Sequence, residues 1–282
     1  MSEIDKPKKV IQWHDLIGLN LIDLFKGSNF EVKTEQNMST PQYLDVLIIS
    51  KSTGKPLDKL PDGFEFLKDY NILTYKSLNE SLNKWAIAEV IGHYVSYRKK
   101  ISPKEKLLPE SRFQVYAVST SYPQKLLGSE KNFGKEVKKI KAGVYKISSP
   151  LVGSIIILVL SQMALQEQNA LWQLFSGKAS GFEYGDVHYQ WHEPADKSLL
   201  RLLYQLYLKE EIDMSYTFEE FHRDYTMPFI ESLPMEVRLK GIPPDEMFKQ
   251  FSPSERLQGL APSERLQGLT RDEIEAYLQK LK

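Results

Sequence analysis

Two short segments of the chain could hold reacting groups. "QYLDVLIIS" carries Asp45 at the head of an apolar run, and "NILTYKS" ends the next run with Lys76, two residues after Thr74. An acid on one strand and an acid-x-lysine triplet on its neighbour would gather two carboxylates and an ammonium at one end of a sheet. Such a group can hold a hard divalent cation, which polarises a phosphoryl oxygen and acidifies a water. The ammonium would orient that water or offset the charge growing on the phosphate. Here the triplet reads Thr74-Tyr75-Lys76, so the second acid is absent. Threonine is neutral and a poor ligand for a hard cation, and its presence should lower metal affinity by roughly 10- to 100-fold or more. The structural alternative is a buried Asp45–Lys76 salt bridge, since a lone aspartate within "YLDVLIIS" is expensive to bury without a partner.

The elements that must position these residues follow from hydrophobic spacing. "WHDLIGLNLIDLFK" places Trp13, Leu16, Ile17, Leu21, Leu24 and Phe25 at helical intervals, with Gly27 after the last turn. "FEVKTEQ" alternates as a strand, and "YLDVLIIS" reads as a central strand covered on both faces. "FEFLKDYNILTYK" supplies a lead-in and a third strand. "SLNESLNKWAIAEVIGHYVSYRKK" reads as a long helix, with Ser77 and Glu80 in capping-box spacing. "SRFQVYAVSTS" is a fourth strand. The expected class is therefore α/β, in the order helix, strand, strand, strand, helix, strand, with a mixed sheet over residues 10–160 and Asp45 and Lys76 at the same end.

That order, with "QYLDVLII", "DYNILTYKS" and the long helix bearing Tyr94 and Tyr97, resembles the PD-(D/E)XK phosphodiesterase superfamily over roughly residues 10–160. The resemblance is greatest to its bacterial recombination-promoting nuclease, or transposase-like, branch. It implies a restriction-endonuclease-like core acting on DNA as a Mg2+- or Mn2+-dependent endonuclease. The first acid carries over to Asp45, the lysine to Lys76, the degenerate acid position to Thr74, and a backbone-carbonyl ligand to Tyr75. A substitute acid could come from Glu35 at the end of the first strand, from Glu89 midway along the long helix, or from Asp23 in the first helix. The alternative function is a catalytically inactive nuclease-fold module that binds nucleic acid or protein. For Glu35 and Glu89 the plainer reading is a charge facing water.

Composition bounds these readings. The 282 residues are 41% hydrophobic and 11% aromatic, enough for one good core and a smaller appendage. The absence of cysteine removes disulfides, thiolate zinc sites and cysteine nucleophiles, and fits a reducing compartment, with the cytoplasm as the default. The longest apolar block, "GSIIILVL", falls short of the roughly 20 apolar residues of a membrane span. The net charge is zero, yet residues 1–150 carry 24 Lys and Arg against 17 Asp and Glu, while residues 151–282 carry 13 against 20. Only the first part, net +7, suits a polyanion. Its cations bunch in "SYRKKISPKEK" and "EKNFGKEVKKIKAGVYK", which could line a phosphate track, although lysine runs more often mark solvated helix ends and loops.

The remaining motifs point to architecture. His188 and His192 in "VHYQWHE" have the spacing of two imidazoles on one helical face, but the flanking Gly185 and Pro194 favour a loop, and zinc is a weak reading. "SIIILVLSQMAL" continues as a core strand into the helix "QEQNALWQLF". "DKSLLRLLYQLYLKEE" sets Leu199, Leu203, Leu206 and Tyr207 on one packing face. From Leu233 to Leu278 the chain repeats in nonapeptides, "PPDEMFKQF", "SPSERLQGL", "APSERLQGL" and "TRDEIEAYL", after the one-residue-longer "LPMEVRLKGI". Each unit opens on a cap or proline, places an acid in the first turn and closes on an apolar residue, the pattern of one or two helical turns followed by a reversal. The expected division is 1–165 for the nuclease-like core, 166–232 for a helical extension, and 233–282 for the repeats, which could bind a protein partner.

Overall fold

The computed structural model describes residues 12–34, 46–128, 137–192, 198–210, 212, 223, 227–240 and 242–280. Asp45 and Glu35 lie outside the described residues. By its internal contacts the chain divides into two units, residues 1–226 and 227–282.

The first unit is α/β, built on an open seven-stranded mixed sheet. Its opening elements are α1 (Trp13–Leu24), β1 (Phe30–Thr34), β2 (Val46–Lys51), β3 (Tyr70–Lys76), α2 (Lys84–Ile101) and β4 (Phe113–Ser119), in the order expected from the spacing. A four-residue helix α3 (Gln124–Leu127) precedes a hairpin, β5 (Val137–Lys141) and β6 (Val144–Ser149), and then β7 (Gly153–Val159). Spatially the strands run β1-β2-β3-β4-β7-β6-β5. The three central strands β3, β4 and β7 are mutually parallel, and antiparallel pairs extend the sheet on both sides. The β5–β6 hairpin lies within the lysine-rich stretch that sequence reasoning treats only as a charged track.

Strand alternation divides the sheet into two apolar faces. Leu47, Ile49, Leu73, Tyr75, Tyr116, Val118, Ile156 and Leu158 pack with α1 and with α4 (Ala170–Leu174), α5 (Ala179–His188) and α6 (Ser198–Lys209). Ile48, Ile72, Val115, Ala117, Ile155 and Ile157 pack under α2. Trp172, Phe175, Tyr204 and Tyr207 are fully buried on the first face, where Tyr207 donates to the Leu174 carbonyl at 2.8 Å and accepts from the Gly177 N–H at 3.0 Å. On α6 the buried stripe is Leu200, Leu203, Tyr204 and Tyr207, whereas Leu199 and Leu206 are only partly covered.

The long helix begins later than its Ser77–Glu80 spacing suggests. Asn83 is the N-cap, its side chain accepting from the N–H groups of Trp85 and Ala86 at 2.9 and 3.0 Å. Ser77 and Glu80 form only one half of a capping box: the Glu80 carboxylate accepts from the Ser77 N–H and hydroxyl, while the Glu80 N–H bonds to the Ser77 carbonyl and so closes a turn between β3 and the helix.

The second unit consists of short helices: α7 (Met227–Ser232), α8 (Met235–Arg238), α9 (Pro244–Lys249), α10 (Pro253–Arg256), α11 (Pro262–Arg265) and α12 (Arg271–Lys280). Ser252 with Glu255 and Thr270 with Glu273 form capping boxes. Ala261 has no side-chain acceptor and retains only the half in which its N–H donates to Glu264, at 2.7 Å. Gly259 and Gly268 reverse the chain at φ 86° and 94°, a left-handed region that disfavours other residues. Arg256 and Arg265 donate back to the carbonyls of Phe251 and Leu260, at 2.8 and 2.9 Å, so two neighbouring repeats share one conformation. Among the described residues no helix is long and apolar enough to cross a membrane.

Candidate functional site

The C-terminal end of β3 carries the chemistry that the described residues offer. Ile72, Thr74 and Lys76 alternate onto the α2 face of the sheet, while Leu73 and Tyr75 face α1. Thr74 sits in register with Val46 on one side and Ala117 on the other and is buried, at 4% exposure. Beyond Lys76 the strand leaves the sheet, with the Thr120 N–H still donating to the Lys76 carbonyl at 3.0 Å.

Glu80 folds back over this end through the Ser77 turn. Its Oε2 accepts from the Ser77 N–H at 3.0 Å and from the Ser77 hydroxyl at 2.8 Å, and its Oε1 lies 3.8 Å from the Lys76 ammonium. His14, in the first turn of α1, places Nε2 2.6 Å from the Tyr75 carbonyl and 3.8 Å from Glu80 Oε2. A carbonyl can only accept, so Nε2 carries a proton in this contact. Partial burial pushes the Glu80 carboxyl up, but the Ser77 N–H, His14, the Ser77 hydroxyl and Lys76 together outweigh it and hold the group below its ordinary value. Glu80 is thus an anion held between an ammonium and an imidazole. Beneath it Tyr75 points into the core, donating to Thr120 at 2.8 Å while Thr120 donates to the Phe175 carbonyl at 3.1 Å. Burial pushes the Tyr75 phenol far above its ordinary value, so this hydroxyl is a fixed donor.

The expected site residues divide as follows. Lys76 and the Tyr75 carbonyl meet at the strand end, joined by two groups that the spacing reading did not assign to the site. Glu80 had a local signal, four residues after Lys76 and three after a serine; His14 had none, being 61 residues from the carbonyl it touches. Glu89 is exposed on α2. Asp23 is engaged elsewhere: it is buried in α1, accepting from the Tyr189 hydroxyl at 2.6 Å and the His192 N–H at 3.1 Å. His188 stacks on Tyr184 at 4.0 Å and bonds to that residue's carbonyl, and His192 lies beside Asp23.

A Mg2+ or Mn2+ ion needs several hard oxygen donors at one point. Among the described residues no three His, Cys, Asp or Glu side chains converge to hold an ion. The strand end supplies one carboxylate, Glu80, and one carbonyl already accepting from His14. These residues do not compose a cation site by themselves; a further carboxylate is required.

Comparison with protein-family models, with curated proteins and with solved structures finds no match to this chain.

Proposed function

We propose that the first unit is a DNA-directed phosphodiesterase core of the PD-(D/E)XK type, impaired by Thr74, in which Glu80 takes the place of the missing acid. The observation that carries this reading is the Glu80 carboxylate 3.8 Å from the Lys76 ammonium at the end of β3. The order of helix, three strands, helix and strand, with antiparallel pairing up to β3 and parallel pairing beyond it, supports the same reading. Asp45, immediately before Val46, is the further carboxylate that the reading requires. A divalent cation held by Asp45 and Glu80 would supply the Lewis acidity for phosphodiester hydrolysis. The chain's own contribution is electrostatic. Lys76 offsets charge on a phosphoryl oxygen, Glu80 orients that ammonium, and His14 fixes the Tyr75 carbonyl. Because its carboxyl is held low, Glu80 is suited to act as an anion near neutral pH and poorly suited to act as a general base. DNA would approach through the net-positive first part of the chain.

The burial of Thr74 favours a second reading, in which the fold binds DNA without cutting it. Nicking of supercoiled plasmid in Mn2+ separates the two. The first reading predicts slow cleavage by the wild type that is lost in Asp45→Asn, Lys76→Ala and Glu80→Gln. Salt-sensitive DNA binding with no cleavage at any metal concentration would leave only the second.

A further inference from the structure

A cleft of about 640 Å3 opens at the C-terminal end of α2. Its apolar lining comes from three separate parts of the chain: Val95 on the helix, Leu107 in the loop after it, and Leu151 in the turn between β6 and β7. These residues are 53%, 54% and 62% exposed. Lys99, Lys100 and Lys104 also border the cleft, and among the described residues no carboxylate lines it. Arg98, the remaining cation of the lining, is committed to Glu110 at 3.2 Å.

The two leucines are held at the cleft by fixed backbone. Arg98 donates from Nε to the Leu108 carbonyl at 2.8 Å. The Ser102 hydroxyl accepts from the Leu108 N–H at 2.9 Å and donates to the Arg98 carbonyl at 2.6 Å. Leu108 packs on the core under α2, while its neighbour Leu107 lines the cleft. In the β6–β7 turn Val152 is buried in the same core and Leu151 lines the cleft beside it. The fold thus presents a preformed apolar floor, in a volume within the range of about 300–1,000 Å3 usual for small-molecule sites.

We propose that this cleft binds a single-chain anionic amphiphile, a long-chain carboxylate, with its alkyl chain on Val95, Leu107 and Leu151 and its head group at the lysines. Charge complementarity and the apolar floor select this class together. A nucleic-acid backbone would meet the ammonium groups but leave the leucines unused, and a neutral apolar ligand would leave the cations unused. Lys99 and Lys100 also complement the dipole at the end of α2, a role that requires neither Lys104 nor the leucines. Lysine suits the rim, because its methylene stem lies along apolar surface while the ammonium stays in water. Exposed charges are screened, so the chain supplies most of the affinity: each methylene taken out of water is worth roughly fourfold. The site is independent of the strand end at Lys76 and of the reading given to it.

Titration calorimetry of the full chain with sodium laurate, below its micelle concentration, tests this. The expected result is one site per chain in the wild type, weakened by up to about 16-fold when laurate is shortened by two methylenes to decanoate. Leu107→Asp and Leu151→Asp change exposed positions and should keep the wild-type circular dichroism, yet each should weaken laurate by roughly tenfold or more. The double variant Lys99→Glu, Lys104→Glu should also bind it less well. Dodecyltrimethylammonium, with a chain of the same length and a cationic head, should not bind. A wild type that ignores laurate overturns the proposal, as does equal binding of the two head groups. Undiminished binding in both leucine variants would put the ligand elsewhere and overturn it too. So would binding to anionic phospholipid vesicles without binding of free laurate, which would make this patch a membrane contact.

Discussion

Replacing Glu80 by glutamine removes one charge from the end of β3 while keeping the side chain's length. In the wild type the carboxylate accepts two hydrogen bonds from Ser77 and lies 3.8 Å from both Lys76 and His14. Hydrogen bonds to a charged group contribute about 1.5–3 kcal/mol. Glutamine can still accept from Ser77, and the Glu80 side chain is 35% exposed, so solvent screens the ionic part to no more than about 1 kcal/mol. The expected loss at pH 7 is therefore about 1–2 kcal/mol. The pH dependence follows from the direction of the shift. The folded carboxyl titrates below its unfolded value of about 4.3, so the stabilisation is complete above that pH. It disappears as pH falls through the lower, folded value. Urea unfolding of both proteins at pH 7 and at about pH 2.5 measures this. A loss of equal size at both pH values, or none at pH 7, would refute the proposed role of the charge.

Three further outcomes follow from the packing. Tyr207→Phe leaves the Gly177 N–H and the Leu174 carbonyl without their buried partner and should cost about 1–3 kcal/mol in chemical denaturation. Gly63→Ala combines a φ of 94° with a methyl group that collides with Leu158, and should cost about 2–4 kcal/mol, read as a lowered Tm. Thr74→Glu places a second carboxylate at a position only 4% exposed; its pKa should rise, and the variant should be less stable than wild type in chelator and recover in Mn2+, as thermal unfolding with and without the metal would record.

Much of the first unit was legible because periodicity and local caps carry the information. The central strands are apolar runs, and α1 shows its buried face in Leu16, Ile17 and Leu21. The β5–β6 hairpin was hidden because the edge strand β5 protects itself with Lys138, Lys139 and Lys141, which, with Lys146 on β6, leave Val137, Ile140, Val144 and Ile147 without a two-residue period. The start of α2 was misplaced because Ser77 and Glu80 make capping contacts that serve a turn equally well; Asn83, the true cap, is less conspicuous in the sequence. In the candidate site, Lys76 and the Tyr75 carbonyl could be named from one strand. His14 could not, because its contact depends on how α1 crosses the sheet, which no local spacing encodes. In the second unit the nine-residue period carried over directly into successive capped turns at Pro253 and Pro262.

In the proposed site Glu80 replaces the acid missing at Thr74. Titrating Mn2+ into the wild type, Asp45→Asn and Glu80→Gln, with free ion followed by electron paramagnetic resonance, tests it most directly. One weak site is expected in the wild type and is lost in both variants, with each variant still folded by circular dichroism. Undiminished Mn2+ binding in Glu80→Gln would contradict it.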